Sequence, residues 1–535
     1  MPISVDRFGA ADPVIHGGWT SRYVIPPSRL FGANGIRAGA DGRIYVAQLA
    51  GSRVSAINPD TFEIEHLDTT GGEITGPDDL AFDDSGNMFV TEFTAGRVSM
   101  RAPSGKTHIL RDDIPGSNPI SWHQGRLLVG ECRMDARIME LDRNGGAPRI
   151  ILEHVPMANA FEVGPDGKLY FPVMGTNEIW RVNLDGSECE VVAGDLGVPD
   201  SVKFDSKGRI VSTQVGSGQV IRLDIQSGTR EVLADIGPGL DNCAFIGDRL
   251  FVSHTAGSIH EILEPGKLRA LSEKGLLWPM GLAVAPDGSL LVVDGSYAYL
   301  RPPHGEVSMA GMLGAPGFPG AHRGAAAAGG GAWYVTTSFG EVRRWNPVQQ
   351  ENELLADGCD LLMDIAADPR GRLVFADYGS GRVLSLENGE VSVLASGLDK
   401  PSGIAIGADG TVYATESGAG RVVKLGNGSA EVVADGLKLP EGIAARGDKL
   451  YVIDVAAREL VQFGTDGTGR ETIVSGLPVG TPTVPRKYLG PVGDMSGPML
   501  SFAGIAIGLD GEIYVGADGN GSVIALYQPG AGSSH

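Results

Sequence analysis

The chain has 535 residues, 42% hydrophobic and 20% charged, with a formal net charge of −22. That charge argues against nucleic acid or an anionic membrane as partner, and the length is too great for one core. The 80 glycines follow no collagen period, so they predict many tight turns between short strands. Cys132, Cys189, Cys243 and Cys359 are far apart with no CxxC pair, which excludes a disulfide framework and a thiolate zinc site. No run approaches eighteen apolar residues, and the opening MPISVDRFGAADPVIHGGW lacks a basic region followed by an apolar stretch. A soluble, cytoplasmic protein, compatible with a monomer, is the expectation. No GxSxG, HExxH or Walker-type loop supports serine-hydrolase, zincin or P-loop chemistry.

One pattern recurs along the chain: an apolar strand, a turn of the "ADG" type, a second apolar strand, a Gly turn, then two more short strands. Copies begin near Gly35 (GIRAGADGRIYVAQ), Asp79, Pro119, Ala160, Ser201 and Asn242. Further copies begin near Gly281, Arg323, Asp364, Gly403, Gly442 and Gly504. Most are spaced by about 40 residues, the period of a four-stranded β-propeller blade. The last spacing is longer because of an insertion between about Leu477 and Phe502.

Twelve blades exceed the usual single ring, so the expected fold is all-β: two tandem six-bladed propellers with four-stranded blades. The strand-like SRYVIPP (Ser21 to Pro27) is expected to supply the outer strand of blade 6, and KLRALSE (Lys267 to Glu273) that of blade 12. Each ring would then close on its own N-terminal strand and leave no free edge. The domains expected are an N-terminal segment 1–18, a first propeller 19–266, a second propeller 267–530 and a disordered tail 531–535.

In a propeller the innermost strands line the axis. The residue just before each first strand therefore sits at the mouth of the central channel, where six such residues converge. In the first ring these are Asn34, Asp78, Asn118, Asn159, Asp200 and Asp241, all Asn or Asp. The second ring reads Met280, His322, Met363, Ser402, Glu441 and Ala503. Asn and Asp are turn residues, but the second ring makes the same turns with none of them. Six oxygen-bearing side chains around one axis suit a hard divalent cation, Ca²⁺ first and Mg²⁺, Mn²⁺ or Zn²⁺ as alternatives. Three facing carboxylates would repel one another, and a dication relieves that.

At these residues the sequence resembles the regucalcin/gluconolactonase (senescence-marker-protein) family of six-bladed propellers. The resemblance implies one divalent metal on the axis and hydrolysis of lactones or related esters. It carries over Asn118, Asn159 and Asp200 in blades three, four and five, with Asp200 as metal ligand and general base and Asn118 orienting substrate. Blade one departs, with Asn34 where the family has Glu, while Asp78 and Asp241 add charge. The function expected is a metal-dependent hydrolase of a small-molecule lactone or ester, with Asn34, Asp78, Asn159, Asp200 and Asp241 as metal ligands. Virginiamycin-lyase-like propellers share the blade repeat, so a metal-dependent lyase or isomerase is one alternative and a non-catalytic binding propeller another.

Two further features stand out. His254 ends a second strand in the same blade as Asp241 and is a candidate for proton transfer or substrate contact. His322 and Glu441 mark a candidate pocket in the second ring, with the long insertion and the segment GMLGAPGFPGAH expected over the same mouth. Carboxylates that end second strands five residues before an Arg, as in Glu92/Arg97, Asp377/Arg382 and Glu416/Arg421, are expected to be structural because both rings use them.

Overall fold

A computed structural model describes residues 7, 12–67, 72–320, 322–426, 428–481, 500 and 502–528. Most of the long insertion and the tail 531–535 lie outside the described residues. Almost all of the described regular structure is β, in twelve antiparallel sheets. No described helix is long and apolar enough to cross a membrane. Each blade begins with a short inner strand, such as Ile36–Ala38 in blade 1, followed by Ile44–Gln48, Arg53–Ile57 and Ile64–His66 in sequence order. Positive-φ glycines such as Gly42 (φ 79°) and Gly86 (φ 79°) make the tight turns between first and second strands. The cores lie between neighbouring blades: Phe89, Ile120 and Val129 of blades 2 and 3 share one cluster, and Ile365, Phe375 and Leu384 belong to another.

The expected ion pairs hold the turns together. Glu92–Arg97 measures 2.6 Å, Asp377–Arg382 2.7 Å and Glu416–Arg421 2.5 Å. Each buried carboxylate also accepts a backbone N–H from the segment arriving from the preceding blade: Thr75 N to Glu92, Asp360 N to Asp377 and Asp399 N to Glu416. They splice blade to blade, which is why both rings keep them.

Ring closure differs from the expectation. The chain forms two compact units. One contains Leu30–Lys274, and the other contains the chain up to Arg29 together with Gly275–Thr481 and the C-terminal segment. Strand Lys267–Ser272 is the outer strand of blade 6, paired with Ser258–Glu264 directly before it. The N-terminal strand Thr20–Ile25 instead pairs with Ser522–Tyr527 and completes blade 12. A further strand, Val14–Ile15, adds a fifth member to blade 11, so residues 14–15 belong to the second propeller. The boundary therefore falls at 274/275 rather than 266/267, and the segment up to residue 29 goes with the second ring. The physical reason is local: a hairpin from Glu264 to Lys267 pairs blade 6 with its own next strand, leaving no place for Thr20–Ile25 there.

The second ring thus closes by a shared strand from the opposite chain end. The first ring closes without one. Its seam between blades 6 and 1 is packed by Ile36, Ile44, Val46, Ala244, Phe251 and Ile259. Ser253 Oγ donates to Asn34 O across it at 2.7 Å, and Arg249 pairs with Asp60 at 3.1 Å.

Because all six blades of the first ring are contiguous in the chain, residues 30–274 expressed alone should fold cooperatively. A single thermal transition with a β-type circular dichroism spectrum is the expected result; a non-cooperative melt would show that the ring needs the rest of the chain.

Candidate functional site on the axis of the first propeller

Where the inner strands of the first ring begin, neighbouring backbones come very close. Gly35 N donates to Asp78 O at 2.7 Å, and a Cβ on Gly35 would lie 2.6 Å from that oxygen. Only glycine fits there. The residue just ahead of it, Asn34, remains free to point at the axis.

Five of the six sequence-derived residues are hydrogen-bonded to one another in two arcs, and Asp78 completes the tier between them. Asn118 Nδ2 donates to Asn159 Oδ1 at 2.8 Å, and Asn159 Nδ2 donates to Asp200 Oδ2 at 2.8 Å. On the far side Asn34 Nδ2 donates to Asp241 Oδ2 at 3.1 Å, while Leu49 N holds Asn34 Oδ1 at 3.2 Å. Burial and the charge of adjacent Asp79 raise Asp78 to about 7. Burial, then Asp78 and Asp79, push Asp200 well above the usual carboxylate range against an opposing pull from Lys203. Asp241 is pushed up by burial and then by Asp200, Asp78 and Asp79. The three carboxylates thus lie within one another's field.

These residues fit a divalent cation by two observations. Burial first and one another's charge second disfavour the ionised carboxylates, which a cation would offset, and Asn118 Oδ1 is buried with no hydrogen-bond donor. Among the described residues no group of three His, Cys, Asp or Glu converges closely enough to hold a metal by itself, so the donor set has to include amide oxygens.

Beneath this tier lies a second one that the sequence reading missed. Arg37 Nη1 pairs with Glu162 Oε2 at 3.0 Å, its Nε donates to Leu80 O at 3.0 Å, and its Nη2 donates to Ile120 O at 3.1 Å. Arg37 Nη2 also lies 3.9 Å from Asp79 Oδ2. Lys203 Nζ reaches the same Glu162 oxygen at 3.3 Å. Asp79 accepts from Ile120 N at 3.2 Å and Asn242 Nδ2 at 3.5 Å. The network therefore touches all six blades. Burial alone would raise Glu162, but Lys203 and Arg37 outweigh it and hold the carboxyl low. Burial, then Arg37, pulls Lys203 down. The signal was present in the sequence. Three residues after the axial position the first ring has Arg37, Ala81, Ser121, Glu162, Lys203 and Ala244, whereas every blade of the second has Ala.

His254 does not serve as expected. Its Nδ1 accepts from Ala256 N at 3.0 Å and its Nε2 donates to Pro238 O at 2.8 Å, so the backbone uses both nitrogens. Burial lowers it to about 4. It is a turn fastener.

In the second ring the register corrects one residue. Gly324 N donates to Thr336 Oγ1 at 2.8 Å, as Gly403 N does to Thr415 Oγ1 at 2.7 Å, and Gly281 N donates to Arg323 O at 2.8 Å. Arg323, not His322, therefore occupies the axial position. The following run of alanines has no distinctive residue to fix the register by sequence alone. The His322 ring instead packs against Phe318 (4.5 Å between centroids) and Trp345 (5.0 Å), and burial lowers it to about 3. Glu441 is axial as expected, with Oε2 accepting from Ala503 N at 2.7 Å, and burial raises it to about 8. Arg323 Nη1 donates to Leu500 O at 2.9 Å, so the described end of the insertion does reach this axis. His322 thus lies one residue off the axial position that Glu441 keeps.

No family model matches the chain, and no curated protein sequence matches it. Solved structures of propeller form do. A virginiamycin B lyase from Staphylococcus aureus is 15% identical, with 54% of this chain and 98% of that chain covered at a TM-score of 0.37. A gluconolactonase from Xanthomonas campestris is 16% identical, with 46% and 93% covered at 0.38. A calcium-binding regucalcin from Agrobacterium tumefaciens is 20% identical, with 46% and 96% covered at 0.37.

Two outcomes follow from the electrostatics. Arg37→Met leaves Glu162, Asp79 and two carbonyls short of a partner, and should cost about 3–5 kcal/mol in denaturant unfolding of the first ring; a loss below about 1 kcal/mol would contradict the network's role. Glu441 has a raised folded pKa, so folding favours its neutral form. Its contribution is full below the unfolded value near 4.5 and is lost as pH rises through about 8. Glu441→Gln should match the parent's melting temperature at pH 4 and exceed it at pH 9.

Proposed function

We propose that the first propeller is a divalent-cation-dependent hydrolase of a lactone or ester. The observation that carries this reading is the axial tier: three carboxylates and three amides, all but Asp78 hydrogen-bonded in two arcs, with one buried amide oxygen lacking a donor. Asn34, Asp78, Asn159, Asp200 and Asp241, together with Asn118 Oδ1, are the groups that would hold the cation. When bound, the cation offsets their repulsion, polarises the substrate carbonyl and lowers the pKa of a nearby water.

The chain's own groups do the rest. Asp200 has one oxygen fixed by Asn159 and the other available to take a proton from water. The water oxygen bonds to the carbonyl carbon, the C–O bond to the alcohol breaks, and the proton on Asp200 passes to the departing alkoxide. Asn118 orients the ester by donating the second N–H of Nδ2, the first fixing its rotamer against Asn159, and its donor-free Oδ1 is left to the cation. The Arg37–Glu162–Lys203 tier below is fully engaged and takes no part in the proton path.

Asp200→Asn preserves the Asn159 contact while removing the base, and should lower kcat by at least about 100-fold with little change in melting temperature. Hydrolysis in ¹⁸O-labelled water should place one label in the acid product. Unlabelled, unsaturated product would point to elimination instead, and full activity after exhaustive chelation would refute the metal-dependent reading.

A further inference from the structure

The residue that follows the second strand has an equivalent place in each blade of the first ring. Its N–H donates to the carbonyl two residues ahead of the axial residue: Phe93 to Gly76 at 3.0 Å, Cys132 to Gly116 at 2.8 Å and Met174 to Met157 at 2.9 Å. Val215 bonds to Val198 at 2.8 Å and Thr255 to Gly239 at 2.9 Å in the same way. In blade 1 the residue is Leu49, whose N–H binds the axial Asn34 itself. By this shared bonding the six residues form a collar at one level of the ring, beside the axial residues. Met174 Sδ lies 3.3 Å from Asn159 Nδ2. Leu49 Cδ1 and Phe93 Cε2 reach beside Gly76 and Gly116, where a Cβ would lie 3.5 and 3.6 Å from them, so each leans over the start of the next blade. The field of Asp78, Asp200 and Asp241 also reaches the Cys132 thiol.

The collar is Leu, Phe, Cys, Met, Val and Thr. It carries no charge and no amide, and its one hydroxyl, Thr255 Oγ1, already donates to Gly239 O at 3.0 Å. A ligand that reaches the tier therefore passes mostly carbon and sulfur at this level, with the Thr94 hydroxyl beside Gly76 as a further polar atom. A hydroxyl buried there without a partner costs roughly tenfold in affinity, whereas each added methylene gains about fourfold. We propose that the first propeller selects a lactone or ester bearing an alkyl or aryl substituent and rejects a polyhydroxylated one. This rests on the hydrolase reading, since it names the substrate class of that site.

The test uses lactams, which present the same carbonyl and resist hydrolysis. Titration calorimetry of the full chain in calcium buffer would compare δ-valerolactam, its 6-propyl and 6-pentyl derivatives and glucono-δ-lactam. Affinity should rise about fourfold per methylene, with the gluconolactam weakest. Met174→Gln, a change of similar length at a partly buried position, should flatten the series and bring the gluconolactam closer to the alkyl lactams. A flat series, no binding by any of the four, or a gluconolactam that binds as tightly as the pentyl compound would overturn the proposal. Hydrolysis of the matching lactones is scored separately. Ordered lactam binding without turnover would leave the collar standing and remove the hydrolase reading; turnover of gluconolactone with a flat lactam series would do the reverse.

Discussion

Six inner strands meeting at one axis set the terms for everything else in the first propeller. Any side chain three residues into those strands must share the same narrow space with its five counterparts. The ring fills that space with Arg37, Glu162 and Lys203, joined by Asp79 from one step earlier. Buried charges are costly unless fully paired, and these are paired to each other and to the carbonyls of Leu80, Ile120 and Phe161. The result ties every blade to the axis in a ring that has no shared strand to close it. It also gives the carboxylate tier a rigid floor and fixes one cationic group, Lys203, within reach of Asp200's field.

The second propeller solves the same geometric problem differently. Its six positions at the same depth are all alanine, so its axis is filled by small groups, and its closure comes from Thr20–Ile25 pairing with Ser522–Tyr527. Asp364, in the place of Asp79, accepts from Ile404 N at 3.0 Å, and Arg323 and Glu441 lie at the mouth. There Arg323 holds Leu500 O and Glu441 holds Ala503 N, both serving the segment that leads into blade 12. The two rings share blade chemistry, visible in the Glu416–Arg421 and Glu92–Arg97 pairs, and differ where the blade leaves a free choice.

What the sequence made legible follows from this division. Strand–turn–strand copies are local, so the twelve blades and the axial Asn/Asp residues of the first ring could be read directly. Closure could not. Thr20–Ile25 and Lys267–Ser272 are both short strands with mixed patterning, and nothing within either says which distant edge it joins. His322 was misplaced by one residue because Ala325 to Ala328 offer no distinctive side chain; only the Gly324–Thr336 hydrogen bond settles the register. His254 looked reactive because it ends a second strand in the blade of Asp241, but its ring binds a backbone N–H there, as Glu92 does. Arg37, Glu162 and Lys203 are visible as charges inside apolar strands, but which distant charges pair across the axis is fixed only by the closed ring.

The central claim is that the axis of the first propeller holds a divalent cation by its Asn and Asp oxygens. An anomalous difference map from crystals grown with Mn²⁺ tests it most directly. The account predicts one strong peak on that axis, within bonding distance of the Asn159 and Asp200 side-chain oxygens. A map with no peak there, or with its only peak on the second axis, would contradict it.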